Sequence, residues 1–207
     1  TGGSWSTWLG VDSSVGESAS VVHITKVLDA LVDSATANQV QFRITDKSSN
    51  IEVSPAYTIP VDTAPPTTTA TTVPVWPASG WFSSTVTVNL SASDNASGVA
   101  STHWRLQGGL WHTAASFAVT TAGTYEYYSA DQAGNQETPR PLTIQIDTAA
   151  PTLTVTQDPA APASGWYRAP VTVTISAEDS LSGLDVPAWY TLDGGPQQSG
   201  GTLLVSG

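Results

Sequence analysis

Three features of the sequence predict an all-β fold: a repeat with a period of 85 residues, runs in which apolar and polar residues alternate, and Gly, Pro and Asp clusters between those runs. The stretch "ASGWFSSTVTVNLSASDNASG" (78–98) recurs as "ASGWYRAPVTVTISAEDSLSG" (163–183), laying Trp81 over Trp166 and Asp94 over Asp179. The same offset takes Asp62 in "VDTAPP" to Asp147 in "IDTAAP". It also takes Val40, Phe42, Asp46, Asn50 and Glu52 to Tyr125, Tyr127, Asp131, Asn135 and Glu137.

Within a repeat the elements read as strands. In "TVTVNLSA" Val86, Val88, Leu90 and Ala92 alternate with Thr85, Thr87, Asn89 and Ser91, and "PVTVTISA" repeats the pattern with Val171, Val173, Ile175 and Ala177. Such alternation places one face of a strand against a core and the other in water. Further strands follow in "VASTHWRLQ", in "SFAV" from Ser116, in "TYEYYSA" from Thr124 and in "LTIQID" from Leu142. About seven short β runs per unit, punctuated by turn residues, predict tandem immunoglobulin-like sandwiches. In that fold the third strand supplies an inward Trp, which makes Trp104 a core residue alongside Tyr127, and Tyr125 takes the position of the tyrosine corner. Val40 at the matching place shows that the first unit does without that Tyr.

The expected organisation is a back part of one domain over 1–62, a complete domain over 63–147 and a front part over 148–207. Gly2 and Gly3 match Gly108 and Gly109, and Gly194 and Gly195, so the first residues fall at a mid-domain hairpin. "GTLLVSG" matches "SFAVTTAG", so the last unit has no counterpart of "TYEYYSADQAGN" or "LTIQID" within these residues. Half a sandwich exposes an apolar face and open strand edges. Two explanations stand: the residues are a window from a longer repeat protein, or strands of a neighbouring copy complete the fold head to tail. An inserted segment at about 10–37 holds "ASVVHITKVLDALVDSA", whose Val21, Ile24, Leu28, Leu31 and Val32 fit one helix face; a short helix and an extra strand pair are both compatible with it.

Composition narrows the function classes. Six Lys and Arg against 17 Asp and Glu give a net charge of −11, which argues against nucleic acid and against an anionic membrane surface. The chain has no Cys, which excludes disulfides and thiolate metal sites, and no apolar run approaches the roughly 18 residues of a membrane span. No charged-then-apolar leader opens these residues.

The combined signature, "SGWF", "TVTVNLSASDNASGV", "WRLQGG" and "GTYEYYSADQAGNQE", resembles the bacterial Ig-like repeats of large secreted and surface proteins, including the type named after the OmpL47 outer-surface protein. The resemblance covers 63–147 fully, 148–207 as a front part and roughly 36–62 as a back part. It implies an extracellular or cell-surface structural element, a stalk, spacer or filament, partnered by further repeats or by copies of itself, and no particular activity.

In that fold the "DNASG" loop with Asp94 and the "DQAGN" loop with Asp131 and Asn135 lie at the pole where linker Asp62 enters. At the next junction the matching groups are Asp147, Glu178 and Asp179. Oxygens converging there can ligate Ca²⁺, and the resemblance implies such use. The competing reading is that Asp and Asn hold their own turns, with Gly98 and Gly134 supplying permissive backbone and Ser49 replacing Gly134 in the first unit.

Catalytic signals are weak. His23, His103 and His112 have no metal spacing, no nucleophile elbow or phosphate loop occurs, and Glu178 and Asp179 point to opposite sides of an extended chain, so the chain is expected not to be an enzyme. The only lysines, Lys26 and Lys47, exclude Lys–Asn crosslinks in the second and third units. The rival reading is a carbohydrate-binding accessory module of a secreted glycoside hydrolase or adhesin, stacking glycans on Trp5, Trp8, Trp76 or Trp111; Trp81 and Trp166, recurring at one position, read as structural.

Overall fold

The computed structural model describes residues 31–185 and 189–205, and among these it is all-β with no helix. The inserted segment, with Gly2, Gly3, Trp5, Trp8, His23 and Lys26, lies mostly or wholly outside the described residues. Its end, 31–37, is irregular and is tied to the chain by a bridge between Ser34 and Val61. No helix among the described residues is long and apolar enough to cross a membrane.

The first unit contributes two short pairs. Strand β1 (Gln39–Val40) runs antiparallel to β4 (Tyr57–Thr58), and β2 (Arg43–Thr45) to β3 (Ile51–Val53). Their registers copy the central unit at the repeat offset: Val40 faces Tyr57 as Tyr125 faces Leu142, and Thr45 faces Ile51 as Ala130 faces Gln136.

The central unit has two sheets. One holds β5 (Thr67–Val73), β7 (Val86–Ser93) and β10 (Ser116–Val119), with β7 in the middle. The other runs in the order β6 (Trp81–Phe82), β12 (Arg140–Ile146), β11 (Gly123–Asp131), β8 (Val99–Leu106) and β9 (His112–Thr113). After β5 the chain turns at Gly80, whose φ of +79° suits a residue without Cβ, and crosses to the second sheet, where β6 pairs parallel to β12.

The alternation in the sequence sets which face is buried. Val86, Val88, Leu90, Phe117 and Val119 from the first sheet meet Phe82, Tyr125, Tyr127, Ile144 and Ile146 from the second in one cluster. Each such side chain contributes about 1.5–3 kcal/mol through removal from water. Trp104 packs on this cluster, stacked on Phe117 at 4.0 Å and 6° and on His112 at 4.7 Å, with Tyr127 as its cross-strand partner. Tyr125 donates its hydroxyl to the carbonyl of Thr121 at 3.0 Å, four residues back, the contact a tyrosine corner makes.

The third unit repeats the first of these sheets. Strands β13 (Thr152–Asp158) and β14 (Val171–Glu178) coincide with β5 and β7 at the repeat offset, and β14 pairs in turn with β17 (Thr202–Val205). A separate pair joins β15 (Trp189–Tyr190) to β16 (Gln198–Ser199). Trp166 differs from the structural role expected of it. Trp81 is half-buried within a strand, whereas Trp166 lies outside any strand and is 82% exposed. The cause is pairing: Trp81 is held by Gln145 of β12, and the third unit has no such neighbour among the described residues.

Candidate functional site

The site forms where the first unit hands over to the second. Its floor is the "DQAGN" loop after β11. Asp131 Oδ1 accepts from the Asn135 backbone N–H and Oδ2 from the Asn135 side-chain amide, both at 2.8 Å, while Gly134 adopts φ +95° to close the turn. Asp46 makes the same pair of bonds to Asn50, at 2.8 and 2.7 Å, and Ser49 occupies the position of Gly134 with φ +68°. The Asp and Asn therefore hold this turn in both units, as the turn reading expects. The bonds from Asn50 lower the Asp46 carboxyl below its ordinary value.

The second loop is "DNASG". Asp94 Oδ2 accepts from the backbone N–H groups of Ala96 at 3.0 Å and Gly98 at 2.8 Å. The two loops are joined by the N–H of Gln132, which donates to the Gly98 carbonyl at 3.0 Å, and by Ala133 N–H to Ser97 Oγ at 3.3 Å. Gly98, at φ +85°, has the open backbone that this turn needs.

Linker Asp62 enters between them. Its Oδ2 accepts from Ser97 N–H at 2.9 Å and its Oδ1 from Ala64 N–H at 3.2 Å, and its backbone carbonyl accepts from the Asn135 amide at 3.2 Å. Hydrogen bonding from Ser97, chiefly, lowers the Asp62 carboxyl below its usual value. One carboxylate oxygen from each of Asp62, Asp94 and Asp131 lies within 4.8 Å of the others. Asp94 Oδ1 is buried there with no hydrogen-bond partner. An open cleft beside this cluster is walled by Ala35, Pro60 and Val61 from one unit and by Ala96, Ser97 and Ala133 from the other.

The next junction repeats the linker geometry. Asp147 accepts from Ser182 N–H at 3.0 Å and Ala149 N–H at 2.9 Å, and Asp179 Oδ1 from Gly183 N–H at 2.8 Å and Leu181 N–H at 3.1 Å. The bond from Ser182 again lowers the linker carboxyl. Glu178 ends β14 and its backbone carbonyl accepts from the Thr152 hydroxyl at 3.1 Å. Three carboxylates converge at the first junction only, among the described residues.

A buried polar network lies inside the central unit. Glu137 accepts from the N–H groups of Thr68 at 2.8 Å and Ser129 at 2.9 Å and from the Thr68 hydroxyl, and the Ser129 hydroxyl bonds those of Thr68 and Thr102. The recurrence of Glu137 at Glu52 was the only sign of this role in the sequence. On the outer face of the five-stranded sheet, Arg105 pairs with Glu126 at 2.6 Å and lies 4.3 Å from the Trp111 ring, which meets Tyr128 edge-on. His103 bridges the hydroxyls of Ser101 at 2.8 Å and Thr113 at 3.1 Å, so a second hydroxyl stands where a nucleophilic triad would use a carboxylate.

In comparisons with known proteins, no family model matches the chain and no curated protein matches it.

Proposed function

We propose that the chain is a non-catalytic structural element, a run of immunoglobulin-like units forming an extracellular stalk or spacer of a bacterial surface protein. The recurrent joint carries this reading. Asp62 and Asp147 each reach from the end of one unit to the backbone of a loop in the next, with matching partners at Ser97 and Ser182. A linker carboxylate bonded to the following domain restricts bending, which is what a spacer requires. The sheet-switching β6, parallel to β12, and the Tyr125 contact support the immunoglobulin-like assignment. The test is small-angle X-ray scattering of the chain against the variant carrying both Asp62→Ala and Asp147→Ala. A broadened distance distribution in the variant is expected; an unchanged profile overturns the role of the joint.

At the first junction the donor set fits a hard divalent cation such as Ca²⁺. The orphaned Asp94 Oδ1 supplies an oxygen that no protein group uses, and Asp62 and Asp131 stand beside it. Bound there, the ion would offset two of the three negative charges that converge and bind the linker to both loops.

Glycan binding is favoured by one observation, the 82% exposure of Trp166. Retention on insoluble polysaccharide that disappears in Trp166→Ala would support it, and absence of retention would remove it. Trp111 is a poorer platform, because the Arg105 guanidinium stands over its ring.

A further inference from the structure

We propose that the segment 32–38 is a strap that fixes the first joint, with Asp33 as its positioning residue: it grips the linker on both sides of Asp62 and so holds that carboxylate against the central unit. In the stalk reading, on which this rests, a joint has to resist bending.

The backbone groups of successive residues in an extended chain point to alternate sides. Val61 exchanges two backbone bonds with Ser34, at 2.7 and 3.1 Å. Thr63 gives its N–H at 3.0 Å and its hydroxyl at 2.8 Å to the Asp33 carboxylate. Asp62, between them, turns the other way: its carbonyl accepts from the Asn135 amide and its carboxylate from Ser97 N–H. One side of the linker is therefore taken by the strap and the other by the central unit, and hydrogen bonds that end on a carboxylate are the stronger kind.

The strap has its own internal shape. At its base the buried Asn38 side chain donates to the Val32 carbonyl at 2.7 Å and accepts from the Val32 N–H at 3.0 Å, while its backbone carbonyl accepts from Ile59 N–H at 2.8 Å. Ser34 Oγ accepts from the N–H groups of Thr36 at 3.2 Å and Ala37 at 2.9 Å, and the bend between them places Ala35 in the wall of the cleft opposite Ala96 and Ala133. A loop already held in this form gives up little freedom in gripping the linker.

The strap lies almost wholly in the inserted segment, so the 85-residue offset gives it no counterpart. In the central unit the same side of the outgoing linker is held by β6, whose Phe82 carbonyl accepts from Asp147 N–H at 2.8 Å; Thr148, at the place of Thr63, lies beyond that pairing. The two joints share the bond from linker carboxylate to loop and differ in what braces it.

Amide hydrogen exchange followed by NMR on the 207-residue chain tests this, because Ser97 and Ser182 make the same bond at the two joints and Asp33 bonds to neither. Asp33→Ala is expected to speed exchange at Ser97 about tenfold while Ser182 stays as in wild type. Asp33→Asn, which keeps an oxygen for the Thr63 N–H, is expected to restore most of the protection. Thr63→Val, which keeps the N–H and loses the hydroxyl, is expected to speed Ser97 about threefold. Should Asp33→Ala unfold the first unit, seen as lost protection in β2 and β3, Thr63→Val carries the test alone. Unchanged exchange at Ser97 would overturn the proposal, and so would equal acceleration at both serines, which reports general loosening. If Ser97 is indifferent to these variants while the scattering profile still responds to Asp62→Ala with Asp147→Ala, the strap falls and the stalk reading stands.

Discussion

Asp62 accepts a hydrogen bond from the backbone N–H of Ser97 at 2.9 Å, across 35 residues and from one unit to the next. Asp147 does the same with Ser182 at 3.0 Å. Both carboxyls lie below their ordinary values because the ionised form receives these bonds.

The pH dependence of the joints follows from that direction. A carboxyl lowered on folding contributes fully above the unfolded value, about 3.9 for Asp, and loses its contribution as pH falls through the lowered folded value. The joints are therefore expected to hold at neutral pH and to loosen only in acid, below about pH 3.9. The amide resonances of Ser97 and Ser182, followed by NMR against pH, should move together in that window. Movement near pH 6 would exclude these carboxyls as the cause.

Glu137 offers a test of the central unit. Glu137→Ala leaves the N–H groups of Thr68 and Ser129 without their acceptor inside the sandwich. An unsatisfied buried donor costs about 1–3 kcal/mol, so a loss of about 3 kcal/mol is expected in urea unfolding. Glu137→Gln, which keeps one acceptor oxygen, is expected to lose less.

Much of this architecture was legible in the sequence because the repeat offset acts on strand register. The offset of 85 lays Asp46 and Asn50 over Asp131 and Asn135, and the side-chain bond within each pair is the same. The convergence of Asp62, Asp94 and Asp131 was likewise expected from the poles of a sandwich. Contacts that depend on depth were not legible. Glu137 and Thr68 are 69 residues apart, and nothing local marks either as buried. Trp166 shows the opposite limit: sequence identity with Trp81 could not fix its environment, because burial there comes from a strand supplied elsewhere.

Tyr125→Phe isolates the hydroxyl bonded to Thr121. Loss of one neutral hydrogen bond predicts about 1 kcal/mol of destabilisation at neutral pH. Burial raises the Tyr125 hydroxyl above its ordinary value, so the phenol form is favoured in the fold. Its contribution is intact below about pH 10 and is lost as pH rises through the raised folded value. The alkaline limb of a melting-temperature profile should therefore fall less steeply in Tyr125→Phe than in wild type; parallel limbs would count against a role for this phenol.

The acidic cluster gives a prediction with opposite signs in two conditions. Without a cation, Asp94 Oδ1 is a buried, unpartnered acceptor close to two other carboxylates, so Asp94→Asn, which removes a charge, is expected to raise the melting temperature in chelator. With Ca²⁺ present the order reverses, because an ion bound only by the folded wild type stabilises by mass action, about 2.7 kcal/mol at one hundred times its dissociation constant. The two melting curves should cross as Ca²⁺ is titrated in. Parallel curves, with the variant above wild type throughout, would mean that the three carboxylates serve the turns and the joint alone.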